Sequence, residues 1–145
     1  MTRAVAALFL ALLLAACSEP VGPEALIRAN IMAMEEALAE RSNGDFMDNL
    51  AASFSGGRVG EETLDRSAAQ KLLAVYFLRY RNIELLVSQV DVEIDLYEPM
   101  LASSTARVAL AGGQHLLPDA AGFYTVRGQW QNFDGQWKLT RLTWE

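Results

Sequence analysis

The side chains able to do chemistry are few and dispersed. The only histidine, His115, lies beside Leu116, Leu117 and Pro118 in a turn-rich stretch. An imidazole titrates near neutral pH and could act as a general base, yet no acid neighbours it in sequence. Tyr76 and Tyr80 are four residues apart and share one side of a helix, so both hydroxyls could face a cavity. Rings buried where a helix meets a sheet are the commoner use of such a pair. His115 and Tyr76 are the two catalytic candidates, each without a partner. Asp91, Glu93 and Asp95 alternate along a strand, about 7 Å apart on one face, too far for an oxygen cage. With one histidine and one thiol, Cys17, neither a metal site nor a cofactor is expected. The glycines at 56, 57 and 60 lack the Gly-Lys-Ser/Thr of a phosphate loop and the dinucleotide fingerprint. No Gly-x-Ser-x-Gly elbow is present either.

Composition narrows the classes further. A chain of 145 residues with 52% apolar content makes one domain with a real core. Its formal charge is −6, and removing residues 1–16 takes away only Arg3, leaving −7. That balance argues against nucleic acid, which needs clustered positive charge, and against a polybasic contact with anionic lipid. A lone cysteine forbids an intrachain disulfide.

The position of Cys17 is the most specific signal in the chain. A short positive start, Met1-Thr2-Arg3, precedes an unbroken apolar run at 4–14, too short to span a bilayer comfortably and shaped like an export signal. It ends in Leu14-Ala15-Ala16-Cys17, which resembles the lipobox of bacterial lipoproteins. The resemblance implies cleavage between Ala16 and Cys17, a lipid on the Cys17 thiol and an acylated (palmitate-type) amino terminus. More than one chain is what holds a protein firmly to a membrane. Ser18 in place of aspartate implies sorting to the periplasmic leaflet of the outer membrane. The expected organisation is therefore a signal peptide at 1–16, a lipid-anchored tether at 17–23 and a domain at 24–145.

The elements that must position any site follow in order. Pro23 and Glu24 suit a helix start, and Ile27, Ile31, Met34 and Leu38 recur at helical spacing to about Arg41. Asp45 is the expected cap of a short second helix with Phe46, Leu50 and Phe54 inward, followed by a glycine-rich connection. Thr63 is the expected cap of a third helix from about Leu64, bearing Leu72, Leu73, Tyr76 and Phe77. Strand alternation then places Val90, Val92, Ile94 and Leu96 opposite Asp91, Glu93 and Asp95. A second strand carries Ala102, Ser104, Ala106, Val108 and Leu110, with Arg107 turned the other way to offset part of the acidic row. Asp134-Gly135 predicts a two-residue turn joining the last two strands. In simple register, Val126, Gly128 and Trp130 share a face with Leu139, Arg141 and Thr143.

Helices first, strands last, ending in Asp134-Gly135-Gln136-Trp137-Lys138-Leu139, with Ala106-Arg107-Val108 in mid-sheet, is an order that resembles the nuclear-transport-factor-two-like (ketosteroid-isomerase-like) superfamily. The resemblance implies an α+β cone-like fold, about three N-terminal helices on a curved, mainly antiparallel sheet of about four long strands. It also implies an apolar pocket, for which Phe54, Tyr76, Tyr80, Val108, Trp130 and Arg141 are the candidates. The carboxylate base and tyrosine–acid pair of the isomerase have no match in this chain. The expectation is therefore a non-catalytic envelope lipoprotein, held at the bacterial membrane by Cys17, that binds a small apolar or amphipathic ligand. The alternatives are a homodimer or envelope-protein interaction module, and a small isomerase or hydrolase.

Overall fold

In the computed structural model, which describes residues 20–112 and 122–145, Pro23 opens the first helix, α1 (Pro23–Ala39), with Glu24 in its first turn. Proline costs nothing there, because the first N–H groups of a helix have no internal partner. Ile27, Met34 and Ala37 form its buried stripe. Arg41 closes the helix in the left-handed region at φ 60°, letting Ser42 N–H reach back to the Ala37 carbonyl at 2.8 Å. The Arg41 guanidinium donates to the carbonyl of Phe77, so the end of α1 is tied to the end of the third helix.

A single turn, α2 (Asn43–Met47), buries Phe46 and Met47; Ser42, not Asp45, holds its N-cap position, and the Ser42 hydroxyl donates to the Asp45 carboxylate instead of capping the backbone. The next segment departs from expectation: Leu50 and Phe54 belong to a strand, β1 (Leu50–Arg58), and not to a helix or glycine loop. Alanine, serine and glycine have little strand propensity. Pairing decides instead, since β1 runs parallel to the last strand on one side and antiparallel to β2 (Glu61–Asp65) on the other. Gly57 shows the tightness of that pairing: at φ 153°, a Cβ there would lie 2.4 Å from the Glu61 carbonyl oxygen. Asp65, not Thr63, caps the third helix, α3 (Arg66–Arg79), accepting from Ala68 N–H at 2.7 Å.

Four more strands follow: β3 (Ile83–Ile94), β4 (Leu101–Gly112), β5 (Gly122–Phe133) and β6 (Gln136–Trp144). The sheet order is β2-β1-β6-β5-β4-β3, with β1 and β6 its one parallel pair. The fold is thus an α+β cone, helices packed on a curved mixed sheet. Asp134 at φ 52° and Gly135 at φ 90° make the two-residue turn, whose left-handed positions suit the twist of a hairpin.

Of the register shifts in the sheet, two bear on the site. In β3, Gln89 at φ 49° adds a residue between Ser88 and Asp91, so Ile83, Leu85 and Val87 face inward before it and Val90, Val92 and Ile94 after it. In β6, Thr140 is the extra residue between Leu139 and Arg141. An inserted residue reverses which face every later side chain takes. The outer edge of β3 is covered by α1, whose Glu35 accepts from Val87 N–H at 3.0 Å and whose Arg28 donates to the Val90 carbonyl. Leu96, expected in the strand, is 92% exposed beyond its end. Arg107 pairs with Ser88 rather than with the acidic row, whose Asp91 and Glu93 oppose Thr105 and Ser103.

Candidate functional site

Phe54, Trp130, Trp137 and Leu139 fill the end of the cone near the Asp134-Gly135 turn, packed with Ile27, Met34, Ala102 and Val92. At the opposite strand ends the described residues surround a cavity of about 290 Å³. Leu38 closes it from α1, while Leu72, Leu73, Tyr76 and Phe77 come from α3. The sheet contributes Ile83 and Leu85 from β3, Val108 and Leu110 from β4, Tyr124 and Val126 from β5, and Leu142 and Trp144 from β6. Each strand presents alternate residues, and the Thr140 bulge is what turns Leu142 and Trp144 inward. The polar groups of this described lining are the Tyr76 and Tyr124 hydroxyls and the Trp144 indole N–H, on otherwise hydrocarbon walls. Leu72 and Tyr76 are 40% and 45% exposed and mark the mouth.

Of the six pocket candidates, Tyr76 and Val108 line this cavity. Tyr80 stands beside it, its ring centroid 5.6 Å from that of Tyr76, with the Arg79 guanidinium over its face. Phe54 and Trp130 lie in the solid core, 5% and 2% exposed. Trp130 donates its indole N–H to Ser104 Oγ at 2.9 Å, a bond closed inside the core. Arg141 points to the outer face, where it pairs with Glu62 at 2.8 Å. Simple hairpin register sets Arg141 opposite Gly128; the bulge sets Leu142 there and moves Arg141 to Gln129. His115, Ala16 and Cys17 lie outside the described residues. Leu142, Trp144 and the start of β3 were missed for the same reason, since an inserted residue has no compositional signature; Tyr124 keeps the phase of Val126 and Trp130 in β5, and plain alternation could have found it.

Elsewhere, the Asp95 carboxylate accepts from the N–H groups of Glu98 and Tyr97 at 2.9 and 2.8 Å, and these bonds hold its pKa below the usual aspartate value. This is a turn device at the β3–β4 connection. No cluster of potential metal ligands occurs among the described residues. No helix among them is long and apolar enough to cross a membrane.

No protein-family model and no curated protein matches this sequence. Solved structures do resemble it. An NTF2-like protein of unknown function from Pseudomonas putida KT2440 is 16% identical, with a TM-score of 0.70 over 84% of each chain. An NTF2-like protein from Cytophaga hutchinsonii is 12% identical, with a TM-score of 0.70 over 86% of this chain and 98% of that one. A hexachlorocyclohexane dehydrochlorinase from Novosphingobium barchaimii LL02 is 14% identical, with a TM-score of 0.68 over 83% of this chain and 84% of that one. Identities this low carry the architecture alone, and on it the chain has the NTF2-like fold.

Proposed function

We propose that this chain is an envelope lipoprotein, anchored through Cys17 after cleavage behind Ala16, whose cone binds a small apolar or amphipathic molecule. The observation that carries the ligand reading is the cavity's lining. Apolar walls supply the transfer free energy, and the Tyr76 and Tyr124 hydroxyls are placed to orient one polar end. The anchor reading rests on the charged start, apolar run and Leu14-Ala15-Ala16-Cys17 in that order.

Native mass spectrometry of the protein purified from its own envelope tests both parts. The wild-type chain should lack residues 1–16 and carry acyl mass on Cys17; a cytosolic chain retaining them would remove the anchor reading. With Cys17→Ser to simplify the spectrum, a reproducible extra mass should remain, and Val108→Phe, which fills the cavity, should remove it while thermal unfolding stays cooperative. An extra mass that survives Val108→Phe would place the ligand elsewhere.

A second reading, an interaction module, is favoured by Leu86 and Phe123, 63% and 91% exposed on the outer sheet face, either side of Ala109. It predicts a partner or second copy whose binding is lost with Phe123→Ser.

A further inference from the structure

The overall negative charge hides one local reversal. Residues 66–82 contain Arg66, Lys71, Arg79 and Arg81 and no acidic residue, in a chain whose total is −6. α3 runs through this stretch and fully buries only Ala69 and Phe77. Its outward face carries Val75, 58% exposed, and Leu78, 85% exposed. Helical spacing sets Lys71 one turn before Val75 and Arg79 one turn after it. Leu72 and Tyr76 extend the exposed apolar strip around the helix to the cavity mouth.

The cations beside this strip form no ion pair among the described residues. Arg66 donates to the Met47 carbonyl at 3.1 Å. The ion pairs among the described residues are Arg127 with Glu145 and Arg141 with Glu62; among those residues Lys71, Arg79 and Arg81 have no carboxylate partner, and the Arg79 guanidinium rests over the Tyr80 ring, which leaves its charge in place. The acids Asp91 and Glu93 alternate with the inward Val90, Val92 and Ile94 and so lie on the opposite side of the sheet from α3. Leu72 to Leu78, the apolar second half of α3, would normally be buried on every side; here one side meets the sheet and cavity, and the other meets solvent.

From this arrangement we infer that the outward face of α3 seats the domain on an anionic lipid surface, with the cavity mouth turned towards the bilayer. Valine and leucine enter the boundary between headgroups and acyl chains, while lysine and arginine extend their stems along it and leave their charges at the phosphates. The continuous strip from Leu78 to Tyr76 would let an apolar molecule pass between bilayer and cavity without crossing water. Net charge alone argues against such a contact; the local distribution of charge is what permits it. The inference goes beyond cavity binding, because the surface can dock with the cavity filled or empty.

The test uses the full chain with Cys17→Ser and a single environment-sensitive label at Leu78→Cys, or at Leu96→Cys on the β3–β4 connection as control. Vesicles of phosphatidylglycerol with phosphatidylcholine are compared with phosphatidylcholine alone. The expected result is a blue shift at position 78, with quenching by acyl-chain bromines, in anionic vesicles and none at position 96. Lys71→Glu, Arg79→Glu and Arg81→Glu together should lower partitioning more than about 100-fold, since each basic residue near an anionic surface contributes about a fivefold preference. The milder set Lys71→Gln, Arg79→Gln and Arg81→Gln should lower it less, and thermal unfolding of both sets checks the fold. Val108→Phe should leave docking intact, which separates this inference from the ligand proposal. Equal shifts at both positions, no shift at 78, or a shift undiminished by the charge changes or in phosphatidylcholine alone would each overturn it. So would a shift without vesicles that rises with protein concentration, which would assign the face to a second copy of the chain.

Discussion

At the scale of single residues, the clearest constraint is the close meeting of Gly128, Ser104 and Trp130. A Cβ at position 128 would lie 2.7 Å from Ser104 Oγ, 2.9 Å from Trp130 Nε1 and 3.0 Å from Leu139 Cδ1. Gly128→Ala should therefore cost about 1–3 kcal/mol through overpacking. Ser104→Ala, which strands the buried Trp130 N–H, should cost a similar amount, about 1–3 kcal/mol. The double variant should lose less than the sum, because removing Oγ makes room for the methyl group; urea denaturation of all three reads the difference. Asp95 makes a pH-dependent counterpart. Its folded-state pKa is depressed, so its contribution to stability is present above the ordinary aspartate value of 3.8 and is lost as pH falls through the lower folded value. The gap in unfolding midpoint between wild type and Asp95→Ala should accordingly be open at neutral pH and close in acid.

At the scale of elements, strand phase decides what the site is made of. Without Thr140, the end of β6 would follow simple register, and Leu142 and Trp144 would turn to solvent while Arg141 turned towards the core. Deleting Thr140 should cost about 3 kcal/mol or more from those two exposed side chains, and it should abolish ligand retention. Thr140→Val, which keeps the count and loses only the hydroxyl bond to the Gln129 carbonyl at 3.1 Å, should cost no more than about 1.5 kcal/mol. Thermal unfolding compares the two. Much of the elements was legible in the sequence: the stripe of α1, the alternation of β3 and β4 and the Asp134-Gly135 turn are all periodic or punctuated signals. β1 was not, because alanine, serine and glycine carry no strand pattern of their own and acquire one only between β2 and β6. Nor were the bulges at Gln89 and Thr140, since one added residue looks like any other until its strand has a partner.

At the scale of the whole molecule, large aromatic side chains fill one end of the cone and, among the described residues, the other holds the cavity. A ligand held in the cavity should stabilise the folded chain by mass action, about 2.7 kcal/mol at a concentration one hundred times its dissociation constant. The same ligand should leave the melting temperature of Val108→Phe unchanged, which calorimetry can read directly. The sequence by itself determined α1, the apolar second half of α3, the strands after it, the hairpin turn, the acidic balance and the expectation of a Cys17 anchor, because these rest on periodicity, turn chemistry and composition that act locally; it did not show that β1 and β2 interrupt the helices. Only the tertiary structure decided that Phe54 and Trp130 are core, that Arg141 lies outside and that Leu142 and Trp144 line the cavity. Those outcomes depend on register between strands distant in sequence, where a single extra residue exchanges the inner and outer faces.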